Sequence, residues 1–209
     1  MAEKLDFKKR HKDLYLPKED PALIEVPPIR YFMVDGEGAP ESRGYQNALQ
    51  VLYALSYGIK MSNRSAYPPE GYVEYSVAPL EGLWDSAGGG FDPNRDHWVW
   101  TAMIRQPDFV TEEVFRQAVI QVAKKKPELD FGAVRLAVYE EGLCVQLMHN
   151  GPYSTEPISL AKMEQFIAAN GLVDDCGPER RHHEVYMSDP RKTAPEKMKT
   201  VLRHPVKRA

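Results

Sequence analysis

Read from its apolar and polar positions, the chain divides into short alternating runs and longer helical stripes. Pro27 and Pro28 precede an apolar run, Ile29–Val34, that predicts a strand, and 35–40 (DGEGAP) reads as a turn. From about Ser42 to Ile59 the pattern is helical. Tyr45, Ala48, Leu49, Leu52 and Tyr53 make one stripe, and Val51, Leu55 and Ile59 make a second, so this helix should be largely buried. Ser42 suits its N-cap and Gly58 its C-terminal end. Alternation over Tyr72–Ala78 predicts a strand ended by 79–84 (PLEGLW), and 85–97 reads as a Gly-rich loop. Trp98–Arg105 is a further strand, with Trp98, Trp100, Ala102 and Ile104 on one face.

Thr111 caps the next helix. Glu112 and Glu113 in its first turn and Lys124, Lys125 and Lys126 in its last suit the helix dipole. Ala133–Tyr139 and Leu143–His149, joined by 140–142 (EEG), read as a hairpin. A helix from about Pro157 to Asn170 ends at Gly171, a strand covers the 182–187 region, and a short last strand lies near Thr200–Arg203.

The punctuation repeats. Gly38 and Gly151 each follow a strand and precede a helix, and Gly58 and Gly171 each stand 20 residues further on. Val73–Pro79 also matches Glu184–Pro190 in its Tyr and its Pro. The unit is strand–helix–strand, used twice. Two such units can share one antiparallel sheet with helices on one face, which makes the open face or the seam between units the natural ligand site. The fold class expected is α+β. Residues 1–21 are read as a charged arm, and 22–209 as one domain of two halves, about 22–110 and 130–209, with an inserted helix near 111–126.

Composition narrows the classes of function. The 209 residues are 43% apolar and 27% charged with a net charge of −3, an ordinary globular balance that gives no global reason for nucleic-acid binding. The basic ends read as solvated tails. Residues 1–28 are too short for a helix-turn-helix, so no direct nucleic-acid partner is expected. No apolar run reaches the ~18 residues of a membrane span. The first twelve residues lack a signal-peptide core, and Cys144 and Cys176 form no CxxC, which together point to a reduced, cytoplasmic protein.

The richest stretch is RRHHEVYMSDPRK, residues 180–192. Period two puts His183, Val185 and Met187 on a core face. Glu184 falls on the other face, between His182 and Tyr186. A carboxylate on an aromatic-walled face can hold a cation or act as a base, or can simply pair with a neighbouring arginine. Familiar motifs fail. The run from Asp92 has His97 and Met103 where a calcium loop needs Gly and Glu, and no Lys-Ser or Lys-Thr follows 88–90 (GGG). There is no GxSxG, and Cys176, His182 and His183 match no common zinc spacing. No metal and no cofactor are therefore expected.

Six segments together resemble the GyrI-like small-molecule-binding family in its stand-alone form: DGEG (35–38), YALSYGIKM (53–61), PLEGLW (79–84), WTAMIRQPDFVT (100–111), HNGPY (149–153) and HHEVYMSDPRKTAPEKMKTVLR (182–203). The resemblance covers about 22–207. It implies two βαββ units of SHS2 type forming a curved antiparallel sheet with a central cleft. It also implies binding of flat, lipophilic, often cationic aromatic molecules, for sequestration or detoxification. Two alternatives stay open. One is a hydrolase that opens cyclopropane-bearing DNA alkylators with water. The other is a ligand-sensing module acting on a protein partner. By the same resemblance the cleft glutamate is Glu184. The expected walls are Tyr53, Tyr57, Trp84, Trp98, Trp100, Tyr153 and Tyr186, with Trp98 equally able to serve the core. The family often carries an aromatic after the Trp of the LW pair, where this chain has Asp85 and so a charge at the rim. For hydrolysis, Glu184 is the expected general base and the Tyr57 hydroxyl a hydrogen-bond donor to the developing oxyanion. The oligomeric state is left open.

Overall fold

The computed structural model describes residues 4–64, 68–89 and 92–209. The expectations touching residues 1–3 of the arm and Gly90 of the glycine-rich loop lie outside these. Among the described residues nine strands run β1 (Ala22–Val26), β2 (Ile29–Glu37), β3 (Leu80–Ser86), β4 (Trp98–Arg105), β5 (Arg135–Tyr139), β6 (Gly142–Asn150), β7 (Leu172–Asp174), β8 (His182–Tyr186) and β9 (Lys199–Arg208). Two short helices, α1 (Phe7–Arg10) and α2 (Lys12–Tyr15), lie in the arm. Three longer ones, α3 (Arg43–Lys60), α4 (Glu112–Lys125) and α5 (Glu156–Ala169), lie beyond it. Every pairing between strands is antiparallel, in the order β1-β6-β9-β8-β3-β4-β2-β5 with β7 beside β9. The protein is thus an α+β domain of duplicated βαββ type. β2, α3, β3 and β4 find their counterparts in β6, α5, β8 and β9, and the seam is the β3–β8 pair, where Gly82 faces Glu184 and Leu83 faces His183.

Local chemistry explains most of the elements. The Ser42 side chain accepts from the Tyr45 N–H at the start of α3, and the Thr111 side chain accepts from Val114 at the start of α4. Leu52 and Leu55 of α3 pack with Phe32 and Ile104 of the sheet at 0% exposure, and each such side chain contributes about 1.5–3 kcal/mol by leaving water. Gly38 (φ 94°) and Gly151 (φ 133°) both take the positive φ that a sharp strand-to-helix turn demands.

Several expectations are corrected. Among the described residues the 72–78 segment makes a single bridge, Tyr75 with Leu5 of the arm, while most of the 79–84 segment read as its end lies in the strand β3. Residues 73–79 therefore do not correspond to 184–190; β3 corresponds to β8. Gly58 does not end its helix but lies inside α3, where a Cβ would meet Val122 of α4 at 2.6 Å. Gly171 does end α5, with φ 63°. β1 and β7 are additional strands, and β9 is longer than expected.

The expected hairpin is also absent. β5 pairs with β2 and β6 pairs with β1, so the short connections 27–28 and 140–141 cross from one edge of the sheet to the other. Val26 faces Gly142 and Ile29 faces Tyr139, which brings the two edges together at this end and rolls the sheet.

The arm is no tail. Its lysines face solvent, but Phe7, Leu14 and Tyr15 are buried. The Arg105 guanidinium stacks 4.5 Å from the Phe7 ring. The arm covers the sheet face opposite the cleft, where it meets a buried ionic cluster. His183 sits between two carboxylates, Nδ1 at 2.9 Å from Glu141 and Nε2 at 3.1 Å from Glu81. Arg203 donates to Glu141 at 2.9 Å and to the Leu14 carbonyl at 3.1 Å, and the Tyr15 and Tyr31 hydroxyls donate to Glu81 at 3.2 and 3.1 Å. Burial alone would lower the His183 pKa, but the Glu141 charge and bonds to both carboxylates outweigh it and raise it to about 9. Burial pushes Glu141 up, and His183⁺ and Arg203 bring it down to about 2.

The signs give a pH window. His183 has a raised folded pKa, so its stabilisation is complete below its ordinary value of 6.5 and disappears as pH rises through about 9. Glu141 has a lowered one, so its share is present above 4.5 and disappears as pH falls through about 2. His183→Gln is expected to lose roughly 3–5 kcal/mol at pH 6 by stranding buried charge, and the deficit should shrink toward pH 10. Urea unfolding across pH measures this; a deficit that does not change with pH would refute it.

Candidate active site in the interhelical cleft

A cleft of about 2060 Å³ opens on the helix face of the sheet. α3 and α5 are its sides, and β3 and β8 at the seam are its floor. Alternation sends Leu80, Gly82 and Trp84 of β3 and His182, Glu184 and Tyr186 of β8 to this side, and Glu81, His183 and Val185 to the arm side.

The floor is an aromatic assembly round one carboxylate. The Trp84 indole N–H donates to the Tyr186 hydroxyl at 2.8 Å, and the Tyr186 side chain is also hydrogen-bonded to Glu184. Glu184 Oε1 lies 3.2 Å from His182 Nε2, with the Glu184 side chain 15% exposed. Tyr45 of α3 stands over Trp84 with ring centres 5.3 Å apart, and Tyr153 meets Tyr186 edge-on at 6.1 Å. Burial, then the Glu184 charge, pushes the Tyr153 phenol up to about 12 and Tyr186 well above its ordinary range, so both remain hydrogen-bond donors at neutral pH. Gly82 is required beneath them. A Cβ there would lie 2.6 Å from the Trp84 nitrogen and 3.1 Å from the Tyr186 oxygen.

Among the residues expected at the site, Tyr53, Tyr57, Trp84, Trp98, Tyr153, Glu184 and Tyr186 all line the cleft. Trp98 forms a side wall, its N–H held by the Asp92 carbonyl at 2.7 Å and its ring edge-on to Trp84 at 5.7 Å. Trp100 does not line it. It is 2% exposed and packs behind Tyr45 and against Gly36, where a Cβ would meet its ring at 2.3 Å. It stands beside Trp84 in the strand pairing, but Tyr45 covers it. Tyr57 is half exposed and stacks on Tyr53. It lies twelve residues beyond Tyr45 on α3, about 18 Å along the helix axis, which puts it on the rim and away from the Tyr45–Tyr186–Glu184 group.

Two cleft residues escaped the sequence. Tyr45 reads there as an ordinary member of a core stripe. Glu156, which opens α5 just before Pro157, was not singled out, yet its Oε1 is buried without a hydrogen-bond partner. Burial, then the nearby Glu184 charge, pushes the Glu156 carboxyl up to about 9, so it is neutral where most carboxyls are ionised. The available signal was its spacing of three residues from Tyr153 in the HNGPY segment.

The GyrI-like small molecule binding domain model matches residues 19–207, and the chain belongs to the GyrI-like family. It is similar to an uncharacterized conserved protein from Listeria innocua, at 52% identity and a TM-score of 0.95 over 98% of this chain and 100% of that one. A hydrolase from Listeria innocua matches over the same shares at 50% identity and a TM-score of 0.92. The EcmrR C-terminal domain, at 13% identity and a TM-score of 0.56 over 91% of this chain and 98% of that one, shares the fold. No curated protein matches. Among the described residues no helix is long and apolar enough to cross a membrane.

Glu156 gives a direct test of the cleft's electrostatics. Its folded pKa is raised, so it lowers stability as pH climbs from its ordinary 4.5 towards 9. Glu156→Gln is expected to raise Tm at pH 8 and to leave it nearly unchanged at pH 4, where the carboxyl is protonated in either state. A scanning-calorimetry gain of the same size at both pH values would refute the assignment.

Proposed function

We propose that the protein is a hydrolase that adds water to a flat, electrophilic aromatic compound held in this cleft, with a strained cyclopropane conjugated to a carbonyl as the substrate class. The observation that carries the reading is a pair of cleft carboxyls in unlike surroundings: Glu184, hydrogen-bonded to Tyr186 and 3.2 Å from His182, and Glu156, whose Oε1 is buried without a partner. Pairs whose environments push their proton affinities apart divide into base and acid. The 50% identical hydrolases from Listeria innocua support the reaction class.

In this proposal Trp84 and the Tyr45 and Tyr186 rings hold the compound's flat face, and Trp98 borders it. Glu184 takes a proton from water as the water oxygen bonds to the cyclopropane carbon. The ring C–C bond breaks, and its electron pair moves through the conjugated system to the carbonyl oxygen. Glu156 supplies the proton there, and a phenol such as Tyr153 stabilises the developing charge by donation. The sum is substrate plus water, with no covalent enzyme intermediate. The donor role expected of Tyr57 passes to phenols that surround Glu184. Binding without turnover, as sequestration, is the second reading, supported by the aromatic walls and the cleft volume.

The experiment is multiple turnover of a cyclopropane-bearing alkylator in large excess over protein, read as hydrated, ring-opened product. Glu184→Gln is expected to lower kcat by about 10²-fold or more, with binding largely kept. In the parent, kcat should fall as pH rises through about 9, because the acid must hold its proton, and Glu156→Gln should abolish that alkaline limb along with most of the rate. Stoichiometric protection without product would leave sequestration; full turnover by Glu184→Gln would require a different base.

A further inference from the structure

One end of the cleft holds a cluster that the hydrolytic reading does not use. Asp174 closes β7, Cys176 follows two residues later, and His204 lies on β9. A carboxylate oxygen, the thiol sulfur and an imidazole nitrogen from these three all lie within 4.8 Å of one another. Asp174 orders the group: it takes His204 Nδ1 at 2.8 Å on one oxygen and the Cys176 backbone N–H at 2.8 Å on the other. Cys176 and His204 line the cleft. So does His182, whose ring meets His204 edge-on at 4.9 Å and whose Nδ1 is buried without a hydrogen-bond partner.

We infer that Asp174, Cys176 and His204 form a binding site for a divalent ion of the zinc class, with its open coordination position turned into the cleft. The donor set decides the class of ion. Thiolate with imidazole selects zinc and its neighbours over magnesium or calcium, which demand oxygen ligands. Three protein ligands and one open position make a site able to hold a ligand or a water. Bonds of 2.0–2.3 Å require donors roughly 3.3–3.8 Å apart, so on loading the widest spacing closes by about 1 Å while the 2.8 Å contact between Asp174 and His204 opens. The 174–176 segment, at the end of a three-residue strand and largely exposed, can make that movement. An ion replaces the Cys176 thiol proton, which leaves to solvent, and binds one nitrogen of a neutral His204 while the ring proton sits on the other. His182, bonded on its other nitrogen to Glu184 at 3.2 Å, links this end of the cleft to its floor.

The sequence hides the site because Cys176 and His204 are 28 residues apart, and pairing of β7 with β9 is what joins them. The test is a Co²⁺ titration of the reduced protein, followed by absorbance and then Zn²⁺ competition. The expected result is a thiolate-to-cobalt charge-transfer band saturating at one ion per chain and erased by zinc. Cys176→Ser should abolish the band, and His204→Ala and Asp174→Asn should weaken affinity by more than about tenfold. Cys144→Ser, at the buried cysteine, and Glu184→Gln should retain it. Because the readout is spectroscopic and needs no substrate, it stands or falls separately from hydrolysis. Absence of the band, or its survival in Cys176→Ser, would overturn the inference.

Discussion

The ionic cluster beneath the seam is the constraint on which the rest depends. Glu81 on β3, His183 on β8, Arg203 on β9 and Glu141 at the β5–β6 connection come from both halves, and the arm adds Tyr15 and the Leu14 carbonyl. Such a cluster adds little net stability over a well-packed apolar one, because desolvation offsets the attraction. What it does supply is geometry. A slip of β3 against β8 by one residue would turn His183 towards the cleft and Glu184 towards the core, leaving charges buried without partners. The register that places Glu184 on the cleft floor is therefore the register that the cluster demands. The imidazole of the HHE run that sits behind the floor is as necessary to the site as the carboxylate in front of it.

Much of this was legible in the sequence, and the gaps have physical reasons. Helices α3, α4 and α5 and strand β4 declared themselves through capping residues, stripes and charge at their ends, which are local signals. Period two alone separated Glu184 from His183. Strand β3 was missed because Gly82 and Pro79 resemble a turn, whereas Gly82 is there to leave room for the Trp84 indole and Tyr186 hydroxyl. The β5–β6 hairpin misled because a short Gly-containing connection is the usual mark of one, and nothing local reveals that the two strands belong at opposite edges. The arm's lysines masked Phe7, Leu14 and Tyr15, which have an ordered place only once the sheet exists. Trp100 shows the limit of face assignment: the strand face was right, but whether a ring on that face meets ligand or another ring is settled by Tyr45.

The cleft joins two environments that a single strand places four residues apart. At Tyr186 the side chain is held by an indole and a carboxylate, in a dry aromatic setting. At His182 the same carboxylate meets a half-buried imidazole on the way to Cys176 and His204. Glu184 stands between them.

The crossed connections at the ends of the sheet have a consequence for how the chain is made. β1 and β5 each lie in sequence beside one half and in space beside the other, a reciprocal exchange of edge strands of the kind seen when two subunits swap segments, here closed within one polypeptide. Ala22 must find Gln146, so the first strand leaves the ribosome more than a hundred residues before its partner exists. At about 5–20 residues per second that interval lasts roughly 6–25 s, during which β1 offers an unpaired edge to any neighbour. Native pairing of that strand is thus a late and long-range event in synthesis, and the first half cannot complete its structure on its own.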